Sequence, residues 1–570
     1  FHPMNNIFFL IFRRMRAPLL TLVMTYSIAM LGLVLIPGKD ADGNVVYMDF
    51  FHAFYFVSFM SSTIGFGEIP FAFTAGQRLW VSFSIFFTVV VWLYSIGTVL
   101  ALLKDETFQN ALTERRFTKQ INRMRESFYL VCGYGQTGEA LVKALTDRNQ
   151  HAVVIDILQD RVNMLKLENL REYVPGLCGD ASLPDHLLEA GLKHPLCEGV
   201  VALTNANEVN LMIAITAKLL HPEIGVICRA DSHDVEKNMA SFGTDFIIDP
   251  FDAFALHLAT AIQAPCLSLL QDWLSLGQRD MLNDPVYPPS KGLWVICGYG
   301  RFGKAVYEKL VREGLEVIVV EAEPQMTGTP SSPYIEGRGT EADTLQQAEI
   351  ERAVGLVAGT DNDANNLSII MTARELNRDL FVILRQNLKH NDAVIEAVGA
   401  DMVMLPSDII ANRIRVLLGA PMQHQFVKLV LHQDDEWACQ LISRISALVT
   451  HHAPEVWEVA FSERDSHAVC AFVKRGNQLT LGDLMTDPRD RHSKLSCIPL
   501  MLYRHNDYFL LPEMDLKVQK DDHLLFCGSY YAKNRMLWTL QNENALNYIL
   551  TGESRPEGWV WRRLRKREVI

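Results

Sequence analysis

Two glycine-rich segments have the residue types and the spacing that hold a phosphate group. Each reads Gly-x-Gly-x-x-Gly between a short apolar run and an amphipathic one, and the glycines are Gly133, Gly135 and Gly138, then Gly298, Gly300 and Gly303. Glycine lets the backbone approach a pyrophosphate, and the N-terminus of the following helix attracts its charge. We therefore expect two nucleotide pockets, whose loops also contain Gln136, Thr137, Arg301 and Phe302.

An acidic residue follows each loop at the spacing of the dinucleotide fingerprint. Asp156 lies 23 residues after Gly133 (156 − 133), and Glu321 lies 23 residues after Gly298 (321 − 298). A carboxylate at the end of a second strand can bind a ribose diol. One glycine motif alone is weak evidence, but two copies in the same order of elements are strong. Polar residues at later strand ends complete the predicted pockets: Asp180, Thr204 and Asn205, then Thr340, Thr360 and Asp361.

The two pockets belong to an internal repeat. Residues 200–218 read VVALTNANEVNLMIAITAK and match LVAGTDNDANNLSIIMTAR at residues 356–374. Alternating strand and helix patterns of this kind predict two tandem Rossmann-like α/β domains. We predict these domains at 128–283 and 293–424, a proline-rich linker at 284–292, a small α+β C-terminal lobe at 425–540 and a tail at 541–570.

A third motif, Thr63-Ile64-Gly65-Phe66-Gly67, lies much nearer the N-terminus and resembles the TVGYG filter of potassium channels. A bare potassium ion needs a stack of backbone carbonyls to replace its water. The apolar segment 48–62 before the motif is too short to cross a bilayer, so it predicts a re-entrant pore helix. One chain supplies one filter strand and a carbonyl cage needs four, so we expect a homotetramer.

Two uncharged apolar runs flank this motif and are long enough to span a bilayer. They predict an outer helix at 18–36 and an inner helix at 79–103, within a pore domain at 18–104. Basic residues concentrate in the segment 1–17 and in the linker 105–127, whereas acidic residues prevail between the two runs. The positive-inside rule then places both termini in the cytoplasm of a multi-pass protein of the plasma (inner) membrane.

The overall composition excludes some classes of function and leaves others. A formal net charge of −13 argues against nucleic acid as a partner. The 10 cysteines show neither paired nor metal-type spacing, so we expect reduced, buried thiols.

From the first span to about Ser529, the chain resembles the prokaryotic RCK (regulator of K+ conductance) channels with two spans and tandem RCK domains. The resemblance implies a membrane α-helical two-span tetrameric pore fused to two RCK domains per chain, which form a gating ring. It also implies K+ in the filter and regulation by NAD, by an ADP-type nucleotide, or by Ca2+. The function expected from it is a ligand-gated potassium channel and not an enzyme.

Several alternatives stay open at this point. A membrane-anchored NAD-dependent oxidoreductase would explain the Rossmann domains, and so would a non-conducting Trk-type regulatory subunit. The cluster Asp361-Asn362-Asp363 reads as a helix N-cap or as a cation site, so the metal ligands remain unknown. Arg301 either faces a phosphate or is an ordinary surface arginine. Its counterpart in the first loop, Gln136, is uncharged. The basic tail 559–567 is either solvated or in contact with lipid.

Overall fold

The computed structural model describes residues 4–39, 44–65, 67–69, 72–231, 233–275, 281–419, 421–449 and 452–553. The chain divides into two compact units, residues 1–124 and 125–570. The described residues of the first unit form four helices and one short antiparallel strand pair, Gly38–Lys39 with Val45–Val46. Its helices are Met4–Leu35, Phe50–Ser61, Ala75–Lys104 and Glu106–Ile121.

Two helices of the described first unit are long and apolar enough to cross a membrane, over Phe12–Leu35 and Ala75–Lys104. At 1.5 Å per residue, these stretches of 24 and 30 residues extend about 36 and 45 Å. The outer helix begins at Met4 and not at Pro18, because proline fits inside it without ending it. The shorter helix Phe50–Ser61 lies between them in the chain, where the sequence predicts a pore helix.

Local capping and one close contact fix the arrangement of these helices. The inner helix begins with a capping box in which Thr74 and Gln77 bond each other's backbone N–H groups. The Trp80 indole donates to the carbonyl of Ala29 at 3.0 Å and lies directly against Gly32. A methyl group on Gly32 would come within 2.1 Å of that ring, so only glycine admits this approach of the outer and inner helices.

The second unit contains two six-stranded parallel sheets with the same strand order, 3-2-1-4-5-6 in each domain's own chain order. This is the order of a doubly wound Rossmann sheet, so the tandem Rossmann prediction is confirmed. The first sheet comprises Phe128–Cys132, His151–Asp156, Gly176–Cys178, Cys197–Ala202, Gly225–Arg229 and Phe246–Ile248. The second comprises Leu293–Cys297, Glu316–Glu321, Tyr334–Glu336, Ala353–Ala358, Phe381–Arg385 and Met402–Met404.

Helices cover both faces of each sheet. Those of the first domain are Gln136–Asp147, Gln159–Leu167, Pro184–Glu189, Asn207–Leu220, His233–Ser241, Pro250–Gln263 and Pro265–Ser275. Those of the second are Arg301–Arg312, Pro324–Thr327, Ala342–Gln347, Asp363–Leu376, a short 3-10 turn Lys389–Asn391, Asp392–Val398 and Pro406–Gly419.

The last long helix of each domain packs on the other domain. Helix Pro250–Gln263 of the first domain buries Phe251 and Phe254 against Phe302 and Val306 of the second. Helix Pro406–Gly419 of the second domain packs on the first in the same way. Its Ile410, Ala411 and Ile414 lie in one core cluster with Leu141, Val142 and Leu145. The sequence does not predict this exchange, because an apolar stripe identifies the buried face of a helix without identifying its partner.

Beyond the second sheet, helices Pro421–Val430 and Asp435–Ser446 lead into an α+β lobe. Its antiparallel sheet has the order Glu455–Ala460, His523–Gly528, Cys497–Arg504 and Asp507–Leu510. A two-stranded pair and four helices accompany it: Thr486–Asp487 with Asp490–Lys494, and His467–Lys474, Leu481–Leu484, Tyr530–Gln541 and Glu543–Thr551. The last helix falls in the segment predicted as tail, whose remainder from residue 554 lies outside the described residues.

One pair of cysteines departs from the expectation of reduced thiols. A disulfide joins Cys266, on helix Pro265–Ser275, to Cys439, on helix Asp435–Ser446, across a sequence separation of 173 residues. Spacing along the chain does not reveal such a pair, because the two helices meet only through packing in one apolar cluster. The other eight cysteines lie outside this disulfide, and seven of them are buried.

We expect protein purified without reductant to show eight alkylatable thiols after unfolding, and all 10 after reduction. The Cys266–Cys439 bond accounts for the difference of two. Mass spectrometry after iodoacetamide treatment measures the count, and Cys266→Ser is the control that leaves Cys439 reactive without reductant. Alkylation of all 10 thiols without reductant would contradict the bridge.

Candidate functional site

The backbone of the motif after the pore helix has the conformation that its glycines permit. Gly65 and Gly67 have φ angles of 66° and 100°, and Thr63 has a φ of 62°. Residues other than glycine rarely adopt a positive φ, so the conformation at positions 65 and 67 depends on glycine. The segment Thr63-Ile64-Gly65 and Gly67 are described, while the predicted filter residue Phe66 lies outside the described residues.

An ion pair fixes the segment that follows the motif. Glu68 accepts two bonds from the Arg78 guanidinium, at 2.8 and 3.1 Å, and a third from the backbone N–H of Phe73 at 2.9 Å. Arg78 lies in the first turns of the inner helix. This bidentate geometry ties the end of the motif to the rigid helix that follows it.

The outer glycines of both Gly-x-Gly-x-x-Gly loops are required by close packing. A methyl group on Gly138 would lie 2.1 Å from the carbonyl oxygen of Gly133, and one on Gly303 would lie 1.9 Å from that of Gly298. Gly133 and Gly298 also have φ angles of 104° and 97°. These contacts hold each helix against its first strand, which is the geometry that brings the helix N-terminus over a pyrophosphate.

The middle glycines face open space. A methyl group on Gly300 would meet no atom within 4 Å, and one on Gly135 would meet only the Arg161 guanidinium, at 3.8 Å. Both glycines are the N-caps of the following helices, and a glycine has no side chain that could cap the first N–H groups there. Such an uncapped helix start with room in front of it suits an anion.

The two acids are nearly buried and brace the loops. Asp156 accepts from the N–H groups of Tyr134 and Leu158 at 2.6 and 2.8 Å. Glu321 accepts from the equivalent Tyr299 at 2.5 Å and from Glu323 at 2.9 Å. Each carboxylate therefore joins the glycine loop to the second strand, and its remaining lone pairs are the ones that can accept from a ribose diol.

The other predicted residues of the first pocket lie at the carboxyl ends of its strands. Thr204 bonds Asn210 through its hydroxyl at 2.7 Å, while the neighbouring Asn205 accepts from Arg229 at 3.1 Å. Asp180 folds back onto Ser182, and the side-chain and backbone hydrogen bonds from Ser182 lower the pKa of Asp180. Gln136 is half-buried and Thr137 buried at the start of the helix.

The second pocket repeats much of this pattern. Thr360 bonds Asn366 as Thr204 bonds Asn210, Asp361 is exposed, and the Thr340 carbonyl accepts from Thr372 at 3.4 Å. Phe302 differs from its expected role as a ligand-facing residue, because its side chain is fully buried in the core. It supports the loop from behind, next to Phe254 of the other domain.

The two pockets carry their cations in different places. In the first, Arg161 pairs with Asp156 at 3.3 Å, on the ribose side. In the second, Arg301 lies in the glycine loop itself, and its guanidinium is 5.3 Å from the centre of the Phe251 ring. Arg161 was not among the residues predicted from the sequence, although a basic residue five positions after Asp156 could have indicated it.

The cluster at Asp361-Asn362-Asp363 functions as a structural anchor. Asn362 caps helix Asp363–Leu376 by accepting from the N–H of Asn365 at 3.1 Å. Asp363 accepts four bonds from Asn387, Leu388 and Asn391. Burial acts to raise the pKa of Asp363, but these hydrogen bonds outweigh it and leave that pKa lowered. The N-cap interpretation accounts for the contacts of this cluster.

Comparison with protein-family models divides the chain in the same way. The model described as "Ion channel" matches residues 19–105. The model described as "TrkA-N domain" matches twice, at residues 129–250 and 294–406. The ion-channel match contains the outer helix from residue 19 onward, the whole inner helix and the Thr63–Gly67 motif, and each TrkA-N match contains one glycine loop with its acid.

The chain is also similar to curated potassium channel proteins and to a solved structure. "Potassium channel protein 1" of Methanocaldococcus jannaschii is 26% identical over 41% of this chain and 70% of its own length. "Probable potassium channel protein 2" of the same organism is 31% identical over 20% of this chain and 36% of its own length. The solved structure titled "GsuK channel bound to NAD" is 16% identical, with a TM-score of 0.44, over 94% of this chain and 98% of that one.

Proposed function

We propose that this chain, a homologue of potassium channel proteins in which an ion-channel domain precedes two TrkA-N domains, forms a potassium-selective pore gated by nucleotides. The observation that carries the proposal is the presence in one chain of a filter-like segment and two glycine loops with open space at the middle glycine. The pore part provides conduction, and the Rossmann part provides a ligand-dependent conformational preference.

Selectivity requires assembly. One chain contributes a single Thr63–Gly67 segment, whereas a potassium filter replaces the ion's hydration shell with carbonyls from four such segments. The functional unit is then a homotetramer that encloses K+ on its axis. Its apolar helices lie in the bilayer of the plasma (inner) membrane. Both termini are cytoplasmic, because the basic residues concentrate before the first span and after the second, and not between them.

The ligands we propose are NAD or an ADP-type nucleotide. The pyrophosphate lies at the uncapped N-terminus of helix Gln136–Asp147 or Arg301–Arg312, and Asp156 or Glu321 accepts from the ribose diol. Both acids disfavour the additional phosphate of NADP by like-charge repulsion. Ca2+ remains a further candidate ligand without assigned residues.

A channel accounts for the domains of this chain better than the two rival functions do. An oxidoreductase needs a substrate domain beside its Rossmann folds, whereas the described residues outside the TrkA-N matches form the ion-channel part, connecting helices and a small α+β lobe. A Trk-type regulatory subunit has no span of its own, but this chain has two candidate spans. The protein is a channel with regulatory domains and not an enzyme.

Coupling between ligand and pore requires a stiff connection. Helix Glu106–Ile121 follows the inner helix after a single residue, Asp105, and its 16 residues extend about 24 Å. We expect a flexible Gly/Ser insertion after Ile121 to leave nucleotide binding and conduction intact while open probability stops responding to nucleotide. Single-channel recording in planar bilayers measures this.

The matched control is an insertion of the same number of alanines, which extends helix Glu106–Ile121 instead of adding a flexible segment. It should retain more of the nucleotide response than the Gly/Ser insertion does. If open probability in the Gly/Ser variant follows nucleotide as in the parent, the force reaches the pore by another route and this coupling mechanism is wrong.

A further inference from the structure

Four polar side chains form a continuous path between the two nucleotide pockets. Asn205, at a strand end of the first pocket, accepts from the Arg229 guanidinium at 3.1 Å. The same guanidinium donates through Nε to one oxygen of Asp231 at 3.0 Å. The other oxygen of Asp231 pairs with Arg301, in the glycine loop of the second pocket, at 2.7 Å. We name this the Asp231 path.

The burial of these groups makes their contacts interdependent. The Asp231 side chain is only 7% exposed and Arg229 only 16%, so neither charge can turn to water instead of its partner. Arg301 is 54% exposed and can swing toward a ligand. Because one buried carboxylate holds two guanidiniums, the position of each depends on the strength of the other's contact.

The pseudo-symmetric positions do not form a second path. The counterparts of Asn205, Arg229, Asp231 and Arg301 are Asp361, Arg385, Asn387 and Gln136. Among the described residues, Nε of Arg385 has no hydrogen-bond partner, and its guanidinium lies 5.1 Å from the centre of the Phe251 ring. Asn387 donates to Asp363 at 2.8 Å. Because neither Asn387 nor Gln136 is charged, they cannot form an ion pair like that of Asp231 with Arg301.

We propose that the Asp231 path couples the occupancy of the two pockets, so that nucleotide in the second favours nucleotide in the first. A phosphate at Gly300 competes with Asp231 for Arg301. Asp231 then holds Arg229 alone and more closely, which releases the Asn205 amide for a ligand in the first pocket. Linkage makes the effect reciprocal. This inference rests on the proposed nucleotide function.

The test measures one pocket while the path is broken in the other. Gly135→Asp closes the first pocket, and the full-length protein is titrated by calorimetry with ADP, and in a parallel series with NAD. Adding Asn205→Ala removes one of Arg229's partners, so that Arg229 engages Asp231 more strongly and Arg301 is released. We expect the affinity of the second pocket to rise about threefold or more.

The same substitution should change the affinity less than twofold when Asp231→Asn is already present, because the path is then cut. Arg301→Gln is the second variant that cuts it, in case Asp231→Asn lowers the melting temperature. The matched control uses the missing path: with the second pocket closed by Gly300→Asp, Asp361→Ala should leave the affinity of the first pocket within twofold.

Two results would overturn the inference, and they are distinguishable. If both pockets bind nucleotide but Asn205→Ala has no effect, or the same effect with and without Asp231→Asn, the coupling is wrong while the proposed function stands. If neither ADP nor NAD binds to the parent protein, the nucleotide function is wrong and the coupling falls with it.

Discussion

Replacing Gly67 with alanine is expected to abolish the preference for potassium over sodium. Gly67 has a φ of 100°, which residues with a side chain rarely adopt, and among the described residues no atom lies within 4 Å of an added methyl group. The effect therefore comes from the backbone, which must abandon this conformation or bear strain of about 1–2 kcal/mol. In a tetramer, that strain recurs in every subunit around one ion pathway.

Reversal potentials under opposed potassium and sodium solutions measure this effect. Gly97→Ala is the matched control, because Gly97 lies inside the inner helix and an added methyl group there also meets nothing within 4 Å. The control should keep the parent's selectivity. An unchanged reversal potential in Gly67→Ala would show that the Thr63–Gly67 segment does not set selectivity.

The double variant Gly135→Asp, Gly300→Asp is expected to lose nucleotide regulation entirely. Each aspartate would fill the space in front of an uncapped helix and bring negative charge to the place proposed for a pyrophosphate. We expect the nucleotide affinity to fall by more than about tenfold at each pocket, which corresponds to about 1.4 kcal/mol. The channel should still conduct, with an open probability that nucleotide no longer changes.

Two further variants separate this effect from damage to the fold. Gly303→Ala would place a methyl group 1.9 Å from the Gly298 carbonyl, so it should lower the melting temperature as well as the affinity. The aspartate variants should melt close to the parent, because their side chains enter open space. Asn477→Asp adds the same charge on the C-terminal lobe and should bind nucleotide normally. Unchanged affinity in the double variant would contradict the placement of both pockets.

Local patterns in the sequence predicted much of this architecture. The spacing from Gly133 to Asp156 corresponds to a strand, a loop, a helix and a second strand, so it predicts a Rossmann start without long-range information. The two apolar runs are equally plain, since each is uncharged and about as long as a helix that crosses a bilayer. Gly65 and Gly67 have positive φ angles, the backbone conformation that glycine permits more readily than other residues.

What the sequence did not predict depends on contacts between distant segments. Phe302 stands inside a glycine motif, yet it is buried because helix Pro250–Gln263 of the other domain packs over it. The contacts of Asp231 with Arg229 and Arg301 join residues of two different domains, so they depend on how the domains pack. Cys266 and Cys439 are 173 residues apart and gave no spacing signal. Periodicity identifies which face is buried, while packing decides against what.

Ion flux from liposomes that contain only the purified protein shows whether this chain forms a nucleotide-regulated potassium channel. We expect potassium efflux that sodium does not replace, and a rate that changes when NAD or ADP is added on the side of the Rossmann domains. The Gly135→Asp, Gly300→Asp protein should show the same potassium efflux without that change. Liposomes that pass no potassium, or pass potassium and sodium equally, would contradict the account.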